Sequence, residues 1–92
     1  MNRRVDPEQQ ERLFELMLGV DDPKAKYRLG QRVVKVAEDS GGDIHPIGSK
    51  AQVIGSIYAD VIGAAYLVVF DGEGGKRITF MVERKLRGEN DG

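Results

Sequence analysis

The chain has 92 residues, with 14 Lys plus Arg against 15 Asp plus Glu and a formal net charge of −1. This length suits a single domain, and the balanced charge argues against a dedicated nucleic-acid binder, which uses a basic excess to neutralise phosphates. The absence of cysteine excludes thiol catalysis, cysteine zinc sites and iron–sulfur ligation, and it fits a reducing compartment.

The N-terminal residues do not form a secretory signal pattern. Asn2-Arg3-Arg4 is basic, but acidic and polar residues follow it instead of an apolar core. The longest apolar run extends from Val61 to Phe70, which is far shorter than the ~20 residues that span a bilayer. We therefore predict a cytoplasmic protein that does not enter a membrane.

The first predicted element is a helix from Pro7 to Leu18. Asp6 fits the N-cap, Pro7 fits the first helical position, and Gly19 fits a left-handed stop. The apolar residues recur at helical spacing and form a stripe that must be buried: Leu13, Leu16, Met17 and Val20, widened by Phe14 and Leu18. Either this stripe packs across one open end of the barrel that the rest of the chain is predicted to form, or it docks on a partner or a second copy of the chain.

From Leu29 onward the apolar period changes from 3.6 to 2. The predicted strands are Arg32–Ala37, Lys50–Tyr58, Ala65–Phe70 and Arg77–Glu83, followed by a closing segment at Leu86. Gly55 lies in the middle of the second strand, where it predicts a bulge or bend. Short strands joined by glycine turns favour a small closed barrel, with an interior filled by Val33, Val53, Val68 and Phe80.

Four segments resemble those of SH3-like small β-barrels of the KOW and Tudor type. Gly30-Gln31-Arg32-Val33 resembles their Gly-x-x-Val opening, and Ile47–Ile54 resembles the loop that enters their second strand. Tyr66–Gly72 is similar to the third strand with its turn. Phe80–Glu83, with Leu86, resembles the closing strand and a terminal single-turn helix. The sequence departs from the KOW pattern at Ala51, where that pattern has a second glycine.

The resemblance implies a mainly β fold, an SH3-like barrel of about five antiparallel strands with an N-terminal α-helix. It divides the chain into an N-terminal helical extension (1–28), the barrel (29–88) and a disordered tail (89–92). Members of this superfold serve as protein-interaction modules, nucleic-acid-binding modules and non-catalytic subunits of larger enzymes, so the resemblance implies a fold rather than one activity.

The sequence predicts no catalytic residue, no metal site and no cofactor. His45 is the only histidine, and it has no nucleophile or carboxylate held beside it in a rigid frame. The serines lack the Gly-x-Ser-x-Gly context of a nucleophile elbow. The turn after Phe70 carries its own carboxylates and no following Lys-Ser/Thr, so it is a hairpin turn rather than a phosphate loop.

We therefore expect a non-enzymatic interaction module or small regulatory subunit that binds a protein partner or itself. Apolar side chains at a hairpin tip cost solubility unless something covers them. Val61 and Ile62 lie at such a tip, where they either curl under the helix or extend its partner surface. The predicted protein-binding residues are Leu13, Leu16, Met17, Val61 and Ile62.

Two further ligand hypotheses remain open from the sequence. Tyr58 and Tyr66 should approach across adjacent strands, where they either bind a cationic side chain or are partly buried barrel residues. A KOW/Tudor-like barrel that binds RNA or DNA is the alternative function. Its basic residues would otherwise be an ordinary solvated surface: Lys50, Lys76, Arg77, Arg84 and Arg87.

Overall fold

The computed structural model describes residues 12, 14–37, 45–72 and 77–90. It is mainly β, with five antiparallel strands in one sheet: β1 (Arg32–Lys35), β2 (Lys50–Ala59), β3 (Gly63–Phe70), β4 (Thr79–Val82) and β5 (Leu86–Gly88). A 3-10 turn, Glu83–Lys85, joins β4 to β5. The strands lie in the order β4-β3-β2-β1-β5, and the predicted β-rich class is confirmed. Within the described ranges, no helix is long and apolar enough to cross a membrane.

The predicted closure into a barrel is wrong, because the sheet ends at β4 on one side and at β5 on the other. The directions of the strands explain why. β4 and β5 each run in the same direction as β2, since both are separated from it by an even number of antiparallel steps. Pairing them would need a parallel ladder, and parallel neighbours require a connection of about a dozen residues or more. Only the three residues of the 3-10 turn are available.

Strand β2 is long enough to have two different neighbours along one edge. Its first residues pair with β1, from Lys50 to Gln52. The register with β3 then shifts between Val53 and Gly55, which confirms the predicted irregularity. Beyond this bulge the chain at residues 18–22 takes the place of β1, and its backbone bonds directly to the strand, with Gly19 N donating to Ile54 O at 2.8 Å and Ser56 N donating to Val20 O at 2.8 Å.

The main core lies on one face of the sheet and receives side chains from all five strands. It comprises mostly fully buried side chains: Ala25, Tyr27, Val33, Ala51, Val53, Ala64, Tyr66, Val68, Phe70, Met81 and Leu86. Val33, Val53 and Val68 therefore lie in the interior as expected. Phe80 does not, because Met81 is the β4 residue that faces this core.

A second, smaller core lies on the opposite face of β2 and β3. It is covered by residues 14–22, which we call the N-terminal segment. Its buried members are Met17, Ala65 and Leu67, with partly buried Phe14, Ile54, Ile57, Ile78 and Phe80 packed against them. Both faces of β3 are consequently buried, which explains its nearly uninterrupted apolar sequence.

Only the end of the predicted N-terminal helix lies within the described residues. Residues 14–17 are helical, and Leu18 N donates to Phe14 O at 2.8 Å. Leu13 and the predicted cap at Asp6 lie outside the described residues. For Phe14 and Met17, the alternative in which the stripe packs on its own sheet is the one observed.

Candidate interaction surface

The hairpin tip between β2 and β3 presents two large apolar side chains to solvent. Val61 is 95% exposed and Ile62 is 60% exposed. Ile62 N donates to Ala59 O at 3.2 Å, and Gly63 has a φ of 76°, so the tip is a hydrogen-bonded turn that favours glycine at its last position. Neither side chain is covered by the part of the N-terminal segment that the structure describes. They form an exposed apolar tip held on a two-stranded frame.

The N-terminal segment offers a second, separate apolar surface. Leu16 is 70% exposed and Leu18 is 52% exposed, whereas Met17 is fully buried. This segment packs beside Gly55, which lies six residues before Val61, or roughly 20 Å along an extended strand. The residues predicted to bind protein are thus divided: Leu16 lies on one patch, Val61 and Ile62 lie on another, and Met17 is inside the protein.

The tyrosines lie where a cation ligand finds little free ring surface. Tyr66 is fully buried, with its ring centroid 5.3 Å from that of Tyr27. Tyr58 is half-buried on the same face of the sheet, and the ammonium of Lys24 lies 5.6 Å from its ring centroid. Tyr66 is thus a fully buried residue of the sheet, and Tyr58 is a half-buried one.

Tyr66 has a polar role inside the protein. Its hydroxyl donates to Glu83 Oε1 at 2.6 Å and accepts the backbone N–H of Tyr27 at 3.2 Å. Burial, followed by the hydrogen bond to the Glu83 carboxylate, raises the pKa of Tyr66 above its ordinary value. Glu83 Oε1 also accepts the N–H of Lys26 at 3.2 Å. This network ties the loop before β1 to β3 and to the 3-10 turn.

Among the predicted basic residues that the structure describes, Lys50 alone has an ion pair with a described acidic residue. Lys50 Nζ lies 3.1 Å from Glu89, in a surface network that also joins Glu89 and Asp71 to Arg32. In this network the Arg32 guanidinium holds the pKa of Asp71 below its usual value, and Lys50, ahead of Arg32, lowers the pKa of Glu89. The negative charge of Glu89 thus offsets part of the positive charge of Lys50. Arg77, before β4, Arg84, in the 3-10 turn, and Arg87, on β5, are all exposed, and Lys76 lies outside the described residues.

His45 is held as a packing residue. It is 9% exposed, and its ring stacks on that of Phe70 with centroids 3.8 Å apart. Its carbonyl oxygen accepts a hydrogen bond from the fully buried ammonium of Lys35. Among the described residues, His, Asp and Glu nowhere gather in a group of three that would hold a metal ion.

A groove of about 410 Å³ opens beside the hairpin tip, where the ladder between β3 and β4 ends. Ala65 pairs with Val82 in the last step of that ladder. β3 begins two residues earlier, while β4 turns away into the 3-10 turn, so the two chains diverge. The groove fills the wedge between them and is lined by Ile62, Gly63, Ala64, Val82, Glu83 and Arg84.

Of the residues that line this groove, the sequence pattern predicted protein binding for Ile62 and nucleic-acid binding for Arg84, and it predicted no role in binding for Ala64 and Val82. The signal lies in the register of β3 with β4, which the sequence alone does not give. Comparison with protein-family models, curated proteins and solved structures finds no match.

Proposed function

We propose that this protein is a non-catalytic interaction module, a small subunit or regulator of SH3-like type, which binds a protein partner through its hairpin tip and N-terminal segment. The strand order, in which the last strand pairs with the first after a single 3-10 turn, supports the SH3-like comparison. Because fold alone does not define activity, the proposal depends on the surface.

The observation that carries the proposal is the exposure of Val61 and Ile62, at 95% and 60%, on a turn fixed by β2 and β3. Full burial of a side chain of this size contributes about 1.5–3 kcal/mol. Two adjacent ones on a supported turn therefore form a compact anchor that a partner's pocket can cover without reorganising the loop. Leu16 and Leu18 offer a second contact area.

The test is capture of partner protein by the full-length chain, compared between variants that change one exposed isoleucine each. Ile62→Asp should abolish or strongly reduce capture. Ile47→Asp is the matched control, because Ile47 is 53% exposed in the turn before β2 and lies away from the hairpin tip. Size-exclusion chromatography with light scattering identifies self-association, which Ile62→Asp should also remove. A monomer that captures nothing, or capture that Ile62→Asp leaves intact, would overturn the proposal.

The alternative, an SH3-like module that binds RNA or DNA, has weaker support. Lys50 is engaged by Glu89, and the net charge of −1 supplies no general attraction to phosphate. Binding that weakens steeply with salt, and that is reduced by Arg77→Ala or Arg87→Ala, would favour this alternative over the protein-binding function.

A further inference from the structure

We propose that the groove beside the hairpin tip binds an extended peptide segment of the partner in which an apolar side chain is followed by an acidic one. This inference rests on the proposed function, since it names the part of the partner that the module recognises. Three features carry it: the unpaired start of β3, the apolar lining, and the charge of Arg84.

The start of β3 has no strand beside it on the β4 side of the described chain. The ladder with β4 ends at the pair Ala65 and Val82, while Gly63 and Ala64 continue β3 beyond it. On their other side these two residues pair with Ala59 and Tyr58 of β2, which holds their backbone in place, with Gly63 leaving the turn at a φ of 76°. A strand with a free edge is a template for an added extended chain, which contributes main-chain hydrogen bonds.

The lining of the groove accepts an apolar side chain. The exposed Ile62 and the half-buried Val82 supply aliphatic surface, and the buried Ala64 lies at the bottom of the groove. A volume of about 410 Å³ is enough for one or two side chains. The exposed side chain of Ile62 forms one wall and continues onto Val61. A peptide seated here would therefore cover part of the hairpin tip.

The two charges at the groove differ in availability. Glu83 already accepts hydrogen bonds from the Tyr66 hydroxyl and the Lys26 N–H through Oε1. Arg84, in contrast, is exposed at the same rim and has no ion pair with any described residue. Guanidinium binds carboxylate by paired, charge-assisted hydrogen bonds. The complementary ligand is therefore an acidic residue placed just beyond the apolar one.

The experiment titrates the full-length, nitrogen-15-labelled protein with capped heptapeptides and follows its backbone amide chemical shifts. The first probe is Ser-Val-Val-Leu-Asp-Glu-Ser. The second replaces the acidic pair with two lysines, and the third replaces the three apolar residues with serine. We expect the first peptide to shift the amides of Gly63, Ala64 and Arg84, and to bind at least about threefold more tightly than either of the others.

Variants of one arginine each test the charge. Arg84→Glu should reverse the preference, so that the lysine peptide binds more tightly than the acidic one. Arg77→Glu is the matched control, because Arg77 is exposed just before β4, at the end of that strand away from the groove. It should leave the preference unchanged. Native amide spectra of both variants establish that the fold is retained.

Several outcomes would overturn the inference. These are equal affinity for the acidic and lysine peptides, shifts away from the groove, equal effects of the two arginine variants, or no shift at about 1 mM peptide. Shifts at Gly63 and Ala64 that grow with protein concentration alone would show that a second copy occupies the groove instead. Partner capture that depends on Ile62 but not on Arg84 would overturn this inference and leave the proposed function standing.

Discussion

The carbonyl oxygen of Met17 lies 2.3 Å from the position that a Cβ atom on Gly55 would occupy. The obstructing atom belongs to the backbone, so no side-chain rotation relieves the overlap. Gly55 is also absent from the glycines with positive φ. The requirement for glycine in the middle of β2 therefore comes from the close crossing of the N-terminal segment, and not from an unusual local conformation.

Gly55→Ala should lower the free energy of unfolding by roughly 1–3 kcal/mol, because the added methyl group forces the segment around Met17 away from β2. Urea denaturation followed by far-ultraviolet circular dichroism measures the change. Gln52→Ala, at an exposed position of the same strand, should stay within about 0.5 kcal/mol of the parent. Equal effects of the two substitutions would show that the crossing is not closely packed in solution.

Met17→Ala should destabilise the protein by about 2–5 kcal/mol, the usual cost of truncating a buried methionine. Leu16→Ala changes a neighbouring side chain that is 70% exposed and should cost less than about 0.5 kcal/mol. Thermal unfolding of the two variants at equal protein concentration measures the difference. If Leu16→Ala proved the more damaging, the segment would present its opposite face to the sheet.

Tyr66→Phe should cost about 1–3 kcal/mol, since it removes the hydroxyl that joins Glu83 to the N–H of Tyr27 inside the protein. Tyr58→Phe is the control: within the described structure, the Tyr58 hydroxyl forms no hydrogen bond, and the ring is half-buried. Its cost should be small. Chemical denaturation at neutral pH measures both, and a Tyr66→Phe variant as stable as Tyr58→Phe would contradict the network.

Tyr66 should also make stability fall in alkali. Its pKa is raised in the folded state, so its contribution is complete below the ordinary value of 10 and is lost as the pH rises through the folded value. The unfolded chain ionises first and is favoured from about pH 10 upward. Tyr66→Phe should show a smaller decline in melting temperature between pH 9 and pH 11 than the parent.

The surface network of Asp71 and Glu89 predicts a loss of stability in acid. Their pKa values are lowered from ordinary values of 3.8 and 4.5. Their contribution is therefore present above those values and is lost as the pH falls through the lower folded ones. The melting temperature of the double variant Asp71→Asn, Glu89→Gln should fall less between pH 6 and pH 3 than that of the parent. Asp71 is exposed and Glu89 is half-buried at the surface, so high salt should weaken the difference.

Much of the fold could be predicted from the sequence because each strand carries a strong local signal. The period-2 pattern located each of β1 to β4, although it began β3 at Ala65 instead of Gly63, and Gly55 indicated the bulge. The open sheet could not be predicted, because it depends on the pairing of β5 with β1, and strand pairing cannot be read from the period of the apolar residues. Phe80 was assigned to the wrong face for a related reason. Because β4 contacts the main core on one face and the smaller core on the other, the alternation of apolar residues does not show which of its side chains face the main core.

The candidate site was predictable only in part. Val61 and Ile62 were identifiable because apolar residues at a predicted hairpin tip are unusual. Met17 and Leu16, by contrast, are adjacent in one apolar stripe, and only the position of the segment over the sheet separates a buried residue from an exposed one. Tyr58 and Tyr66 are likewise indistinguishable by residue type. Their roles differ because Glu83, 17 residues after Tyr66, reaches only one of the two hydroxyls.

The pairing of residues 18–22 with β2 has a consequence for where this chain can be shortened. The change of apolar period at Leu29 suggests a boundary there, but Tyr58 N donates to Asp22 Oδ2 at 2.9 Å across that boundary. Cutting at residue 29 would bare the far half of the longest strand and uncover Leu67. Such a fragment would have unpaired backbone groups and uncovered apolar side chains, and it should aggregate. The smallest fragment that we expect to remain folded in solution therefore begins before Phe14.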